Sequence, residues 1–239
     1  MQTIFLAGGL GTRLQAKASN IPKSMVPILG KPFLQYELEM LKRHNITNII
    51  LAIGYLGKQI IDYFGDGSKF GLNINYSIES KPVGTGGGIK LASDLLEDEF
   101  FVMYGDSYLP IDYQEFMAFF KASGKIGALV LYDNKCGDTT VPCNVSINKN
   151  MVITQYAKNL SENDLHLVEA GVMAFQKTVL GFIPDQRVVS LEEEIFPLLI
   201  KQNELLGFVS CNRFYDIGLP SRLKEFEEYI KNDYIEDSV

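Results

Sequence analysis

The chain of 239 residues is long enough to bury a sizeable core, in one α/β domain or at most two small ones. A net charge of -7, with lysines and arginines scattered along the chain, leaves no basic footprint and argues against nucleic acid as a partner. No apolar run reaches the roughly 18 residues of a membrane span, which argues against a membrane-embedded chain.

Apolar residues begin at once with Thr3-Ile4-Phe5, which reads as a first strand and leaves no room for a signal peptide. The strand feeds Leu-Ala-Gly-Gly-Leu-Gly-Thr-Arg-Leu over residues 6–14. Gly8, Gly9 and Gly11 let backbone N–H groups turn toward an anion, while Thr12 adds a hydroxyl donor and Arg13 a fixed cation. Two familiar phosphate loops are excluded by spacing. After four spacers Gly8 meets Arg13-Leu14 rather than Gly-Lys, and Gly9-x-Gly11 is followed by Leu14 where the dinucleotide fingerprint needs glycine. Pro22-Lys23 follows ten residues on.

Residues 32–44 carry Phe33, Tyr36, Leu38 and Leu41 at near-helical spacing, with Asn45 as the stop. Residues 48–53 form a continuous apolar run, the pattern of a strand buried on both faces. A helix is predicted over 56–64 and an alternating strand over 72–78. Glu79 and Pro82 then lead into a second glycine loop, residues 84–88, which is expected to open a helix over 89–96. A buried strand over 100–104 ends in Gly105-Asp106, where open α/β sheets place their ligands. A helix over 112–123 and a strand over 126–132 complete four β-loop-helix repeats, the order of a parallel, doubly wound sheet.

Beyond residue 135 the strands shorten, with candidates at 145–147, 152–156, 167–175 and 205–209. The whole reads as a Rossmann-like α/β fold with a mixed, mainly parallel sheet flanked by helices. Ser190 with Glu193 reads as a capping box, and Pro197 must kink or interrupt the helix it opens. A segment over 212–217 delivers Asp216-Ile217-Gly218, and a closing helix is predicted over 219–234. Cys136, Cys143 and Cys211 are odd in number and lack CxxC spacing, so they read as reduced thiols of a cytoplasmic protein. His44 and His166 make no metal-binding pattern.

Five motifs in order, residues 6–14, Pro22-Lys23, Glu79 through Gly87, Gly105-Asp106 and Asp216-Ile217-Gly218, resemble the sugar-1-phosphate nucleotidylyltransferases. Within that family the short chain and its residues 79–87 are most similar to the bacterial guanylyltransferases acting on heptose or mannose 1-phosphate. The resemblance implies a glycosyltransferase-A-like nucleotidyltransferase fold; no linker separates the halves, so the chain reads as one domain over 1–239. Its nucleotide-binding half would span 1–135, and its sugar-phosphate-binding half and closing helix 136–239. It also implies transfer of a nucleoside monophosphate from a nucleoside triphosphate to a sugar 1-phosphate. Arg13, Lys23, Asp106 and Asp216 are then the catalytic residues, with Asp106 and Asp216 holding Mg²⁺. Leu6, Ala7, Gly8, Gly9, Gly11, Thr12, Glu79, Gly84 and Thr85 would bind the nucleotide. Gly105, Asn144, Lys158, Glu169 and Gly171 would bind the sugar phosphate.

Glu79 as a carboxylate only accepts hydrogen bonds. Guanine offers N1–H and N2–H₂ on one edge, cytosine its amino group, and uracil one N–H between two carbonyls. Guanine is therefore favoured, with cytosine or uracil open; the resemblance implies heptose 1-phosphate ahead of a hexose or amino-sugar 1-phosphate. A catalytically silent nucleotide-sugar sensor would be expected to lack Arg13, Lys23 or an aspartate, and all are present.

Overall fold

The computed structural model describes residues 1–9, 20–137, 139–157 and 165–236. The first half runs β1 (Gln2–Leu6), β2 (Pro27–Ile28), β3 (Lys31–Pro32), α1 (Phe33–Arg43), β4 (Asn48–Ile53), α2 (Gly57–Phe64), β5 (Asn73–Ile78), α3 (Gly84–Leu91), β6 (Glu99–Tyr104), β7 (Ser107–Tyr108), α4 (Tyr113–Ser123) and β8 (Gly127–Tyr132). The second half adds β9 (Val145–Ile147), β10 (Ile153–Tyr156), β11 (Val168–Gln176), α5 (Phe196–Lys201), β12 (Leu205–Ser210), β13 (Tyr215–Asp216) and α6 (Pro220–Glu236). Seven strands form one sheet in the order β12-β8-β11-β6-β1-β4-β5. All neighbours run parallel except β11, which is antiparallel to both β6 and β8. The sheet is thus mixed and mainly parallel.

Alternate residues of each buried strand feed two cores. Phe101 and Met103 pack with α1, α2, α4 and α6 on one face. Phe100 and Val102 pack with Ile89 of α3 and Phe196 and Leu199 of α5 on the other. Both faces are covered, which is why β4 and β6 read as unbroken apolar runs. Helix ends follow local chemistry. Asp112 caps α4 by accepting from Gln114 N and Glu115 N at 2.8 and 3.1 Å. Asn45 ends α1 in the left-handed region at φ 59.

Three local expectations are corrected. The second glycine cluster is not a loop before a helix over 89–96; it forms the first turns of α3. A Cβ on Gly84, at φ +80, would lie 2.4 Å from Val189 O, and one on Gly86 2.9 Å from the Val189 side chain. Close packing against residue 189 thus requires glycine there, and the same glycines accept a helical backbone. The Ser190 capping box also differs. Ser190 Oγ accepts from Glu193 N at 3.2 Å, but the returning carboxylate is Glu194, which accepts from Ser190 N at 3.2 Å. Residues Leu191–Ile195 form a π-helical turn, and the wider ring moves the returning position one residue along. Pro197 falls in the first turn of α5, where its missing N–H costs no helical bond.

The reading of three reduced thiols does not hold. Cys136 and Cys211 form a disulfide with Cα atoms 5.5 Å apart, and Cys143 is free. The pairing of Ser210 with Tyr132 in β12 and β8 brings the two cysteines together across 75 residues, a proximity that sequence spacing does not show. Among the described residues, no helix is long and apolar enough to cross a membrane.

Candidate functional site

Four parallel strands, β6, β1, β4 and β5, deliver their C-terminal ends to one edge of the sheet, and there a cavity of about 490 Å³ opens. Leu6, Ala7, Gly8 and Gly9 follow from β1, Glu79 from β5, and Gly105 and Asp106 from β6. Gly84 and Thr85 of α3 close one side, and Lys23 stands beside Asp106. The position is the ligand crevice of open α/β sheets.

At one end stands Glu79. A Cβ on Gly8 or on Gly54 would lie 2.5 Å from its Oε1, so its carboxyl is held between two bare backbones. Its other oxygen accepts from Val83 N at 3.3 Å. Burial raises its pKa above the ordinary carboxyl value, and the Val83 N–H opposes the rise.

At the other end Lys23 Nζ donates to Asp106 Oδ2. Lys23 opens a short 3₁₀ turn after Pro22, and Asp106 immediately follows Gly105 at the end of β6. Asp216 joins this pair through a separate two-stranded sheet. β13 pairs with β7 so that Asp216 faces Ser107, and Ile217 N donates to Asp106 O at 3.1 Å. A Cβ on Gly218 would lie 2.8 Å from Asp216 Oδ1 and 3.6 Å from Lys23 Nζ, so the three charges meet around one point. Asp216 also accepts from Gly218 N and from Arg222 Nη1, each at 2.8 Å.

Asn144, Glu169 and Gly171 assemble separately, outside the walls of the main cavity. Asn144 Oδ1 accepts from Glu169 N at 2.9 Å, and Glu169 Oε1 accepts from Gly171 N at 2.7 Å. Gly171 sits at φ +83 in the irregular stretch of β11, where a Cβ would lie 2.8 Å from Ser107 Cβ. The group is therefore joined to the Asp106 corner through Ser107. Gly11, Thr12, Arg13 and Lys158 lie outside the described residues.

Three residues escaped the sequence reading. Arg222, on α6, pairs with Asp216. Glu192 sits in the π turn and reaches Thr85 and Tyr104 of the cavity wall. Glu37, on α1, is 0% exposed, and among the described residues neither of its oxygens has a hydrogen-bond partner. A signal for Glu37 existed: it stands four residues from both Phe33 and Leu41, a polar break in the buried stripe. Burial, then the Asp106 charge, pushes its carboxyl well above the ordinary value, with Lys23 acting in the opposite sense. Its folded pKa thus exceeds the unfolded value of about 4.3. The associated penalty is absent below that value and grows as pH rises toward the folded pKa. Glu37→Leu should therefore raise stability by about 1–3 kcal/mol at neutral pH. The gain should shrink on acidification through about pH 4. Urea unfolding at both pH values checks this, and an equal gain at both contradicts it.

The fold and this crevice define an α/β protein of nucleotidyltransferase architecture. A family model described as nucleotidyl transferase matches residues 2–233, and the chain belongs to that family. It is 34% identical over 229 residues to the D-glycero-alpha-D-manno-heptose 1-phosphate guanylyltransferase of Campylobacter jejuni, covering 95% of this chain and 98% of that one. It is 31% identical over 223 residues to the mannose-1-phosphate guanylyltransferase of Mycobacterium tuberculosis, covering 92% of this chain but only 62% of that longer one. Among solved structures, HddC from Yersinia pseudotuberculosis complexed with GMP-PN superposes with a TM-score of 0.80 at 27% identity, covering 96% of this chain and 99% of that one.

Proposed function

We propose that the protein transfers a nucleoside monophosphate, GMP by preference, from the triphosphate to a sugar 1-phosphate, heptose 1-phosphate by preference. A sugar-phosphate oxygen attacks the α-phosphorus. A new P–O bond forms, the bond to the β-phosphate bridging oxygen breaks, and its electron pair leaves with pyrophosphate. The observation that carries this reading is the division of one crevice into a hydrogen-bond acceptor end at Glu79 and a charged end at Lys23, Asp106 and Asp216. The guanylyltransferase relatives at 34% and 31% identity support the base and the class of sugar.

In this reading Leu6, Ala7, Gly8, Gly9, Gly84 and Glu79 hold the base and ribose side of the nucleotide. Gly11, Thr12 and Arg13 hold the triphosphate, and Arg13 steadies the departing pyrophosphate. Lys23 leaves Asp106 to lie against the α-phosphate. Asn144, Glu169, Gly171, Gly105 and Lys158 receive the sugar phosphate. Catalysis is then positioning and charge neutralisation, with no covalent step for the protein. The whole chain acts as one nucleotidyltransferase domain, in the cytoplasm where nucleoside triphosphates are made.

Members of this family generally depend on a divalent metal. The residues present fit Mg²⁺. Two carboxylates converge, Asp106 from the turn before β7 and Asp216 from β13, which pairs with β7, and Mg²⁺ takes one or two carboxylates and leaves its other positions to phosphate oxygens and water. When bound, Mg²⁺ would neutralise charge on the phosphates.

The test is pyrophosphate release from GTP, CTP, UTP and ATP against a panel of sugar 1-phosphates with Mg²⁺. The highest kcat/KM is expected for GTP with a heptose 1-phosphate. Release from no pair overturns the reading, and a higher kcat/KM with CTP or UTP overturns the base assignment.

A further inference from the structure

Glu192 is 9% exposed, and its carboxylate gathers three hydroxyl donors from three segments. Tyr104 at the end of β6 donates to Oε1 at 2.5 Å. Thr85 of α3 donates to Oε2 at 2.9 Å, and Ser190 to the same oxygen at 2.6 Å. Thr85 Oγ1 in turn accepts from Leu191 N at 2.8 Å, closing a ring between α3 and the π turn. Burial, then the Glu169 and Glu192 charges, raises the Tyr104 phenol well above its ordinary pKa, which keeps it a donor. Both Tyr104 and Thr85 line the cavity, and Gly105-Asp106 follow Tyr104 directly. One carboxylate therefore fixes the separation between the edge of the cavity that carries Gly84 and the edge that carries Asp106.

We propose that Glu192 is a positioning residue for nucleotidyl transfer: it sets the base-side edge of the cavity against the Tyr104–Asp106 edge without touching substrate. The inference rests on the reading of the crevice as the nucleotide site. A carboxylate supplies acceptor oxygens on both sides, whereas an amide of the same shape supplies one, so Glu192→Gln must leave at least one hydroxyl without its acceptor. A small displacement of reacting groups is felt in the chemical step more than in ground-state binding.

The experiment measures kcat and KM for GTP and for the sugar 1-phosphate, with thermal unfolding, in the wild type, Glu192→Gln, Tyr104→Phe and the double variant. Tyr104→Phe removes a single donor and keeps the test open should Glu192→Gln fail to fold. The expected result is a fall in kcat of roughly tenfold in each single variant, with KM for GTP changed less than about threefold. The double variant should be no worse than the weaker single one, because both break the same link. Unchanged kcat in the folded variants, additive losses, or a loss confined to unfolding temperature overturns the proposal. A wild type that releases no pyrophosphate from any pair overturns the reading of the crevice, and this inference with it. An active wild type with an unaffected Glu192→Gln overturns the inference alone.

Discussion

Asp106→Asn should lower kcat for pyrophosphate release by about 10³-fold, the scale of losing one preorganised electrostatic group at a reacting phosphate. The amide keeps the shape of the carboxylate and can still accept from Lys23, so the corner near Asp216 should persist. What is lost is the formal charge that Lys23 faces and that the proposed Mg²⁺ site requires. The fold should be spared: Asp106 is half-buried, and one of the two charges that act on the buried Glu37 disappears. The loss should therefore appear in kcat and in the Mg²⁺ concentration that gives half activity, with little change in unfolding temperature. A kcat within tenfold of wild type would remove Asp106 from the catalytic set.

The second large effect is expected at the opposite end of the crevice. Glu79→Gln replaces two acceptor oxygens with one acceptor and one donor, and the new donor faces the donor edge of guanine. Because Gly8 and Gly54 hold the carboxyl on both sides, the amide cannot swing away without opening that packing. A hydrogen bond to a charged group contributes about 1.5–3 kcal/mol, so kcat/KM for GTP relative to UTP should fall by about 10–100-fold. The same competition assay with four triphosphates reads it. A ratio unchanged within twofold would mean that Glu79 does not read the base.

Much of this arrangement is legible in residue order, for identifiable reasons. Strands β4 and β6 announce themselves because burial on both faces permits only apolar side chains. The helix over Phe33–Arg43 and its Asn45 stop follow from period and backbone preference. Gly105-Asp106 stands out because a carboxylate at a strand end has few uses in a core. Contacts made across long separations carry no local signature. Lys23 and Asp106 are 83 residues apart, and Thr85 and Glu192 are 107 apart. The direction of β11 is equally hidden, since a strand covered on both faces has the same composition whether its neighbours run parallel or antiparallel. The glycines at 84–88 mislead for a physical reason: glycine suits both a bare phosphate loop and a helix pressed against another segment, and here the contact with Val189 decides.

The antiparallel strand β11 also bears on how the chain reaches this structure. It lies between β6 and β8, so those two strands never touch, although β8 follows β6 in the chain. Two strand spacings, roughly 10 Å, separate them. During synthesis they emerge with their facing edges bare, and residues 133–167 must follow before the strand that fills the slot. An open, apolar strand edge is a template for pairing with another chain. The nascent protein is therefore most exposed to aggregation between completion of Tyr132 and arrival of Gln176, and closing the sheet depends on contacts remote in sequence, which slows folding. The strand that makes the sheet mixed is thus its keystone in time as well as in space.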